Sequence, residues 1–175
     1  MAVYSLDENF TDSLTERKCI MGREIRRVTI DWKHPKDKDG YYIPLFGRSF
    51  TKTLEEWIEG SINWNHGLRR DFVINELIPI EDKYKNESYE DWNGEKPEQA
   101  DYMPEWDEED KTHYQMYETC TEGTPISPVM KTKEELAKWL FDNRASFFGD
   151  MEMSYEHWLD ICNGGIGLPM IVINR

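Results

Sequence analysis

The sequence predicts an α+β domain: a mixed or antiparallel sheet with about three to four helices packed on it. Three observations carry this. Segments that read as strands, by alternation or β-branched residues, stand near the front, in the middle and at the end of the chain. Amphipathic stretches that open on capping residues lie between them. Aromatics, 13% of the 175 residues, let large rings fill a core although hydrophobic residues total only 38%. A chain of this length can bury a core without metals or disulfides, and one domain spanning residues 1–175 is expected.

The first strand is read at Glu24–Ile30, where EIRRVTI alternates in part. Pro35 ends it, because the residue before a proline leaves helical space. A charged turn, Lys36–Gly40, leads into a short second strand at Tyr41–Phe46, which Pro44 marks as an edge. A helix follows with Thr53 as N-cap and Glu56 at the capping-box position, and Leu54, Trp57, Ile58 and Ile62 fall on one face. Leu68–Leu77 reads as a second short helix that stops near Pro79. Glu81–Asp110 holds thirteen acidic residues against Lys83, Lys85 and Lys96, has few aliphatics, and includes the turn signal Asn93-Gly94. It is expected to be a long acidic excursion tacked to the body by its rings.

His113–Cys120 alternates as a strand and feeds the loop Thr121–Val129, shaped by Gly123, Pro125 and Pro128. Thr132, with Glu135 three residues on, caps a helix whose apolar stripe is Leu136, Trp139 and Leu140, and Asn143 stops it. Ser154 caps a last helix carrying Tyr155, Trp158, Leu159 and Cys162, ended by Gly164-Gly165. Pro169–Ile173 is a β-branched terminal strand.

Charge narrows the partners. The net charge of −14 opposes direct binding to nucleic acid or to an anionic membrane surface, both of which need clustered Lys and Arg. No apolar run approaches the roughly 18 residues of a membrane span. Met1–Phe10 has neither the basic nor the apolar region of a signal peptide, so the cytoplasm is the expected compartment. The basic stretch Arg17–Lys36 can neutralise part of the acidic one; otherwise the acidic face engages a basic protein patch.

Catalytic signatures are sparse. No phosphate-binding glycine loop, dinucleotide fingerprint, nucleophile elbow or HExxH is present, so no cofactor, metal or catalytic residue is assigned. His34, His66, His113 and His157 lack metal-helix spacing, and Cys19, Cys120 and Cys162 form no CxxC pair. Cys120, beside a loop, is the least ordinary thiol. Two surfaces remain. The stiff loop Glu118–Pro128 presents Glu118, Glu122, Gly123, Thr124 and Ser127 to a small ligand or partner, or serves as a connector. The acidic stretch offers Trp92, Tyr102 and Trp106 as anchors beside Asp107, Glu108, Glu109 and Asp110.

The run YQMYETCTEGTPISPV over Tyr114–Val129, the capped helix after it and the Ser154–Leu159 segment resemble small acidic proteins of tailed phages and prophages. The resemblance spans Tyr114–Ile161, and more weakly Arg26–Asp37 and Gly40–Pro44. It implies an accessory protein acting in the cytoplasm of a bacterial host. Such a protein would bind a host protein with a basic surface and inhibit a defence or nucleic-acid enzyme. A nucleotide- or ligand-binding protein using the Glu118–Pro128 loop, and a self-associating virion component, are the alternatives.

Overall fold

Residues 22–119, 123–148 and 151–165 are described by the structure, a computed structural model. They form an α+β fold with antiparallel sheets, divided into two compact units. One unit comprises residues up to Pro44 and from Trp106 onward; the other is Leu45–Glu105.

The first unit is built on strand β1 (Arg23–Val28), which pairs antiparallel with the later strand His113–Glu118. A turn follows β1. Asp37 accepts from the Asp39 and Tyr41 amides at 2.9 Å each, and Gly40 takes a positive φ of 89°. The strand expected at Tyr41–Phe46 is reduced to isolated bridges at Tyr42 and Phe46. Pro44 supplies no N–H, and Tyr41, Tyr42 and Ile43 face solvent, so neither ladder bonds nor burial hold a strand there.

The second unit opens with helix α1 (Phe50–Asn65). Its N-cap is Ser49 rather than Thr53: the Ser49 hydroxyl accepts from the Lys52 amide at 3.1 Å. Thr53 donates its hydroxyl to the Ser49 carbonyl at 2.7 Å, inside the first turn. Glu105 completes this end, accepting from the Ser49 hydroxyl and, at 2.6 Å, from the Thr51 hydroxyl, which holds its carboxyl below the usual range. The expected helix at Leu68–Leu77 is instead a hairpin of β2 (Leu68–Asp71) and β3 (Glu76–Pro79). Asn75 at φ 55° and the Asp71 side chain, which accepts from the Val73 amide at 2.8 Å, turn the chain where a helix would have continued.

The acidic stretch is locally structured. It holds 3-10 turns at Asp82–Tyr84 and Gln99–Asp101 and helix α2 (Tyr89–Asn93), whose capping box is Ser88 and Asp91. Trp64 stacks on Trp92 at 4.9 Å, and Trp57 meets Tyr89 edge-on at 5.3 Å. Trp64 and Trp57 donate to the Glu87 and Gly94 carbonyls, at 2.9 and 3.1 Å.

Gly60 of α1 lies beneath Tyr89. A Cβ there would overlap the Tyr89 hydroxyl, at the end of a stiff ring held between Trp57, Trp64 and Trp92. Gly60→Ala is therefore expected to destabilise by about 2 kcal/mol, as overpacking does. Without the overlap the helix preference alone would make it stabilising by about 1 kcal/mol. The sign of the change in denaturant midpoint decides.

The first unit resumes with β4 (His113–Glu118), β5 (Thr124–Pro125), α3 (Lys133–Asp142), β6 (Ser146–Phe148), β7 (Met151–Glu152) and α4 (Tyr155–Cys162). The sheet order is β1-β4-β5, and β6 and β7 form a separate antiparallel pair that the sequence reading did not include. Thr132 caps α3 through the Glu135 amide, Ser154 caps α4 through the His157 amide, and Gly164 ends α4 at φ 89°. One sheet face carries Ile25 and Met116 against α3 and α4. Leu136, Ala137, Leu140, Phe147, Met153, Trp158, Ile161 and Cys162 complete this core. Burial pushes the Cys162 thiol up to about 12, so it is a packing residue. The segment Pro169–Ile173 lies outside the described residues, as do Cys19, Cys120 and Glu122.

Candidate functional site

The opposite face of the β1-β4-β5 sheet is polar and buried. Alternation puts Gln115 and Tyr117 of β4 on it, beside Arg26 and Val28 of β1. The Tyr117 hydroxyl donates to Gln115 Oε1 at 2.9 Å and accepts from Trp32 Nε1 at 2.9 Å. The Arg26 guanidinium lies 4.2 Å from the centre of the Tyr117 ring. Burial pushes the Tyr117 hydroxyl up to about 12. Gln115 Nε2 donates to the Ser127 carbonyl at 2.8 Å, and the Ser127 hydroxyl accepts from the Met116 amide at 2.9 Å.

These bonds determine what the Glu118–Pro128 loop can offer. Ser127 is 7% exposed, and its hydroxyl donates to the Pro128 carbonyl at 2.9 Å. Glu118 is paired with Arg23 at 2.7 Å, and Arg23 also donates to the Ser146 carbonyl and hydroxyl. The Gly123 amide donates to the Glu118 carbonyl at 3.0 Å, with φ 103°. Thr124 lies in β5, opposite Glu118. Ser127 and the Gly123 and Ile126 amides, which the stiff loop was expected to present, fasten it to β4. Glu118, Gly123 and Ser127 are thus engaged within the fold.

His34 belongs to the same buried face. Its Nε2 lies 2.6 Å from the Ile43 carbonyl, which can only accept, so Nε2 carries the proton. Nδ1 is then a bare acceptor, 3.3 Å from a Tyr117 hydroxyl whose proton is directed to Gln115. Burial lowers the pKa of His34 from the ordinary 6.5, the Ile43 carbonyl opposes this, and the Arg26 charge adds to the lowering. The unfolded chain thus binds the proton more readily than the folded one. The stability conferred by a neutral His34 is complete above about pH 6.5 and falls as pH drops below that, until the lowered folded pKa is passed. Denaturation midpoints should decline between pH 7.5 and 5.5 in the native protein. In His34→Gln that part of the slope should vanish.

The aromatic anchors expected in the acidic stretch are engaged internally. Tyr102 is 6% exposed and packs against Phe46 and Phe50 at 5.2 and 5.4 Å, so its ring is unavailable to a partner. Trp92 is half-buried on Trp64, and Trp106 is half-buried edge-on to Trp32 at 4.9 Å. The carboxylates Asp107, Glu108, Glu109 and Asp110 are exposed. Glu108 holds Arg27 at 2.7 Å and also Lys111, both lowering its pKa. The basic stretch is thus neutralised by several partners: Arg27 by Glu108, Arg23 by Glu118, and Arg26 by Glu24 at 2.8 Å.

The surface that the sequence reading missed is the β2–β3 tip. Phe72, Val73 and Ile74 are 80, 93 and 56% exposed there. Apolar residues between turn-forming Asp71 and Asn75 are the sequence signal that could have separated this hairpin from a helix. Among the described residues no group of three His, Cys, Asp or Glu side chains is placed to hold a metal, and no helix is long and apolar enough to cross a membrane. Comparison with protein-family models, with curated proteins and with solved structures finds no match for this chain.

Proposed function

We propose that this chain is a phage-type accessory protein whose acidic surface binds a basic patch on a bacterial host protein and obstructs it, with a defence or nucleic-acid enzyme as the target class. The observation carrying the reading is the surplus of unneutralised carboxylates on the second unit. Leu45–Glu105 holds fourteen Asp and Glu against seven Lys and Arg. Four of those cations are tied within the unit: Arg69 and Lys83 to Glu81, Arg70 to Glu59, and Lys85 to Asp82. Glu55, Glu56, Glu95 and Glu98 are exposed and have no ion-pair partner among the described residues. Such a field steers encounter with a basic surface and raises the on-rate more than the affinity. The small-ligand alternative is weakened because the Ser127 hydroxyl and the Gly123 amide of that loop are bonded within the fold.

Tagged protein incubated with nuclease-treated bacterial lysate should retain a host protein at low salt and lose it as salt shortens the screening length to about 3 Å near 1 M. Reversing Glu55, Glu56, Glu95 and Glu98 to lysine is expected to weaken retention at least tenfold at low salt. Circular dichroism should stay unchanged, because none of the four is in a described ion pair. Retention indifferent to both salt and charge reversal would reject the electrostatic reading.

A further inference from the structure

We infer that the β2–β3 tip is a docking wedge whose occupant is an apolar cleft rimmed by basic side chains on the partner protein, a reading that rests on the proposed function. Isolated exposed apolar side chains are ordinary, but Phe72, Val73 and Ile74 are consecutive and occupy the turn, where Gly, Asn, Asp and Ser usually stand. The backbone beneath them is fixed. Asp71 Oδ1 accepts from the Val73 and Ile74 amides at 2.8 and 3.4 Å, and Arg70 Nη1 donates to Asn75 Oδ1 at 2.9 Å. Arg70 also holds Glu59 of α1 at 3.0 Å, which anchors the hairpin to the helix. A tip prepared in this way presents apolar area with little ordering left to do on binding.

The charge around the tip identifies the rim of the cleft. Asp71 and Glu76 are directly opposite in the hairpin register, an arrangement that destabilises a hairpin on its own. Neither is in an ion pair among the described residues. Lys or Arg supplied by the partner would relieve this repulsion. The same carboxylates and the overall charge of −14 disfavour an anionic lipid surface and a second copy of the chain as the occupant.

The test uses the full chain carrying p-benzoyl-phenylalanine at position 72, or at position 141 as control, since Phe141 is an exposed ring in the other unit. Each is irradiated in the lysate that yields the salt-sensitive partner, and in parallel with phosphatidylglycerol vesicles. The expected result is one adduct from position 72, mapped by peptide sequencing to an apolar segment flanked by Lys or Arg. It should be reduced about tenfold by Glu76→Lys, and absent from position 141. Equal labelling from both positions, an adduct of the chain with itself, or a lipid adduct overturns the inference. A retained partner that position 72 never labels overturns it while leaving the proposed function standing. A lysate with no salt-sensitive partner overturns both.

Discussion

Replacing Trp158 by alanine should cost about 3–5 kcal/mol of unfolding free energy, the range for removing a large buried ring whose site cannot collapse. Trp158 is fully buried in the α3–α4 core, edge-on to Phe147 at 6.1 Å, and shares that core with Met116, Leu140 and Cys162. Its walls belong to several elements: β4 beneath, α3 alongside, and Phe147 from β6. Closing the cavity would require all of them to move together, and close-packed interiors resist this. One detail separates packing from hydrogen bonding. Trp158 Nε1 is buried without a partner among the described residues. Trp158→Phe therefore removes an unmet donor as well as volume, and its loss should be much smaller, about 1 kcal/mol. Urea unfolding followed by circular dichroism compares the two variants. A phenylalanine variant as damaged as the alanine one would mean that the indole N–H has a partner after all.

Helices α3 and α4 were legible in the sequence because their signals are local. Thr132 and Ser154 each cap within three residues, and the apolar stripe lies within the same turns. Strands β1 and β4 were legible because β-branched and aromatic residues alternate along them. What failed depended on distant residues. Ser49 caps α1 in company with Glu105, more than fifty positions away, whereas Thr53 has the better local spacing. The β2–β3 hairpin was read as a short helix over Leu68–Leu77, and no periodicity argument anticipates that a tip holds Phe72, Val73 and Ile74 in solvent. The candidate sites were less legible still. Ser127, Tyr102 and Trp106 were singled out by residue type, yet their partners are Gln115 and Met116, Phe46 and Phe50, and Trp32, which only the fold brings near.

Tyr117→Phe should cost about 2–4 kcal/mol although it removes a single oxygen. The ring stays, so its contact with the Arg26 guanidinium survives; only the hydroxyl's bonds are lost. Two groups then lose a partner, one half-buried and one buried: Trp32 Nε1 a lone pair to donate to, and Gln115 Oε1 its proton. Each stranded polar group costs on the order of 1–3 kcal/mol, while the net contribution of an ordinary bond that is cleanly removed is about 1 kcal/mol. The prediction thus depends on orphaned partners rather than on the bond itself, and a cycle can separate the two. In Tyr117→Phe combined with Trp32→Phe, the indole N–H is no longer stranded, so the double variant should lose less than the sum of the two single variants by about 1 kcal/mol or more. The second bond of Gln115, to the Ser127 carbonyl, persists in every member of the cycle, which keeps β4 tied to the loop and limits the comparison to the hydroxyl. Strict additivity would show that Tyr117 and Trp32 do not share the bond. In that case the buried polar face would be three independent contacts and not one network centred on Tyr117.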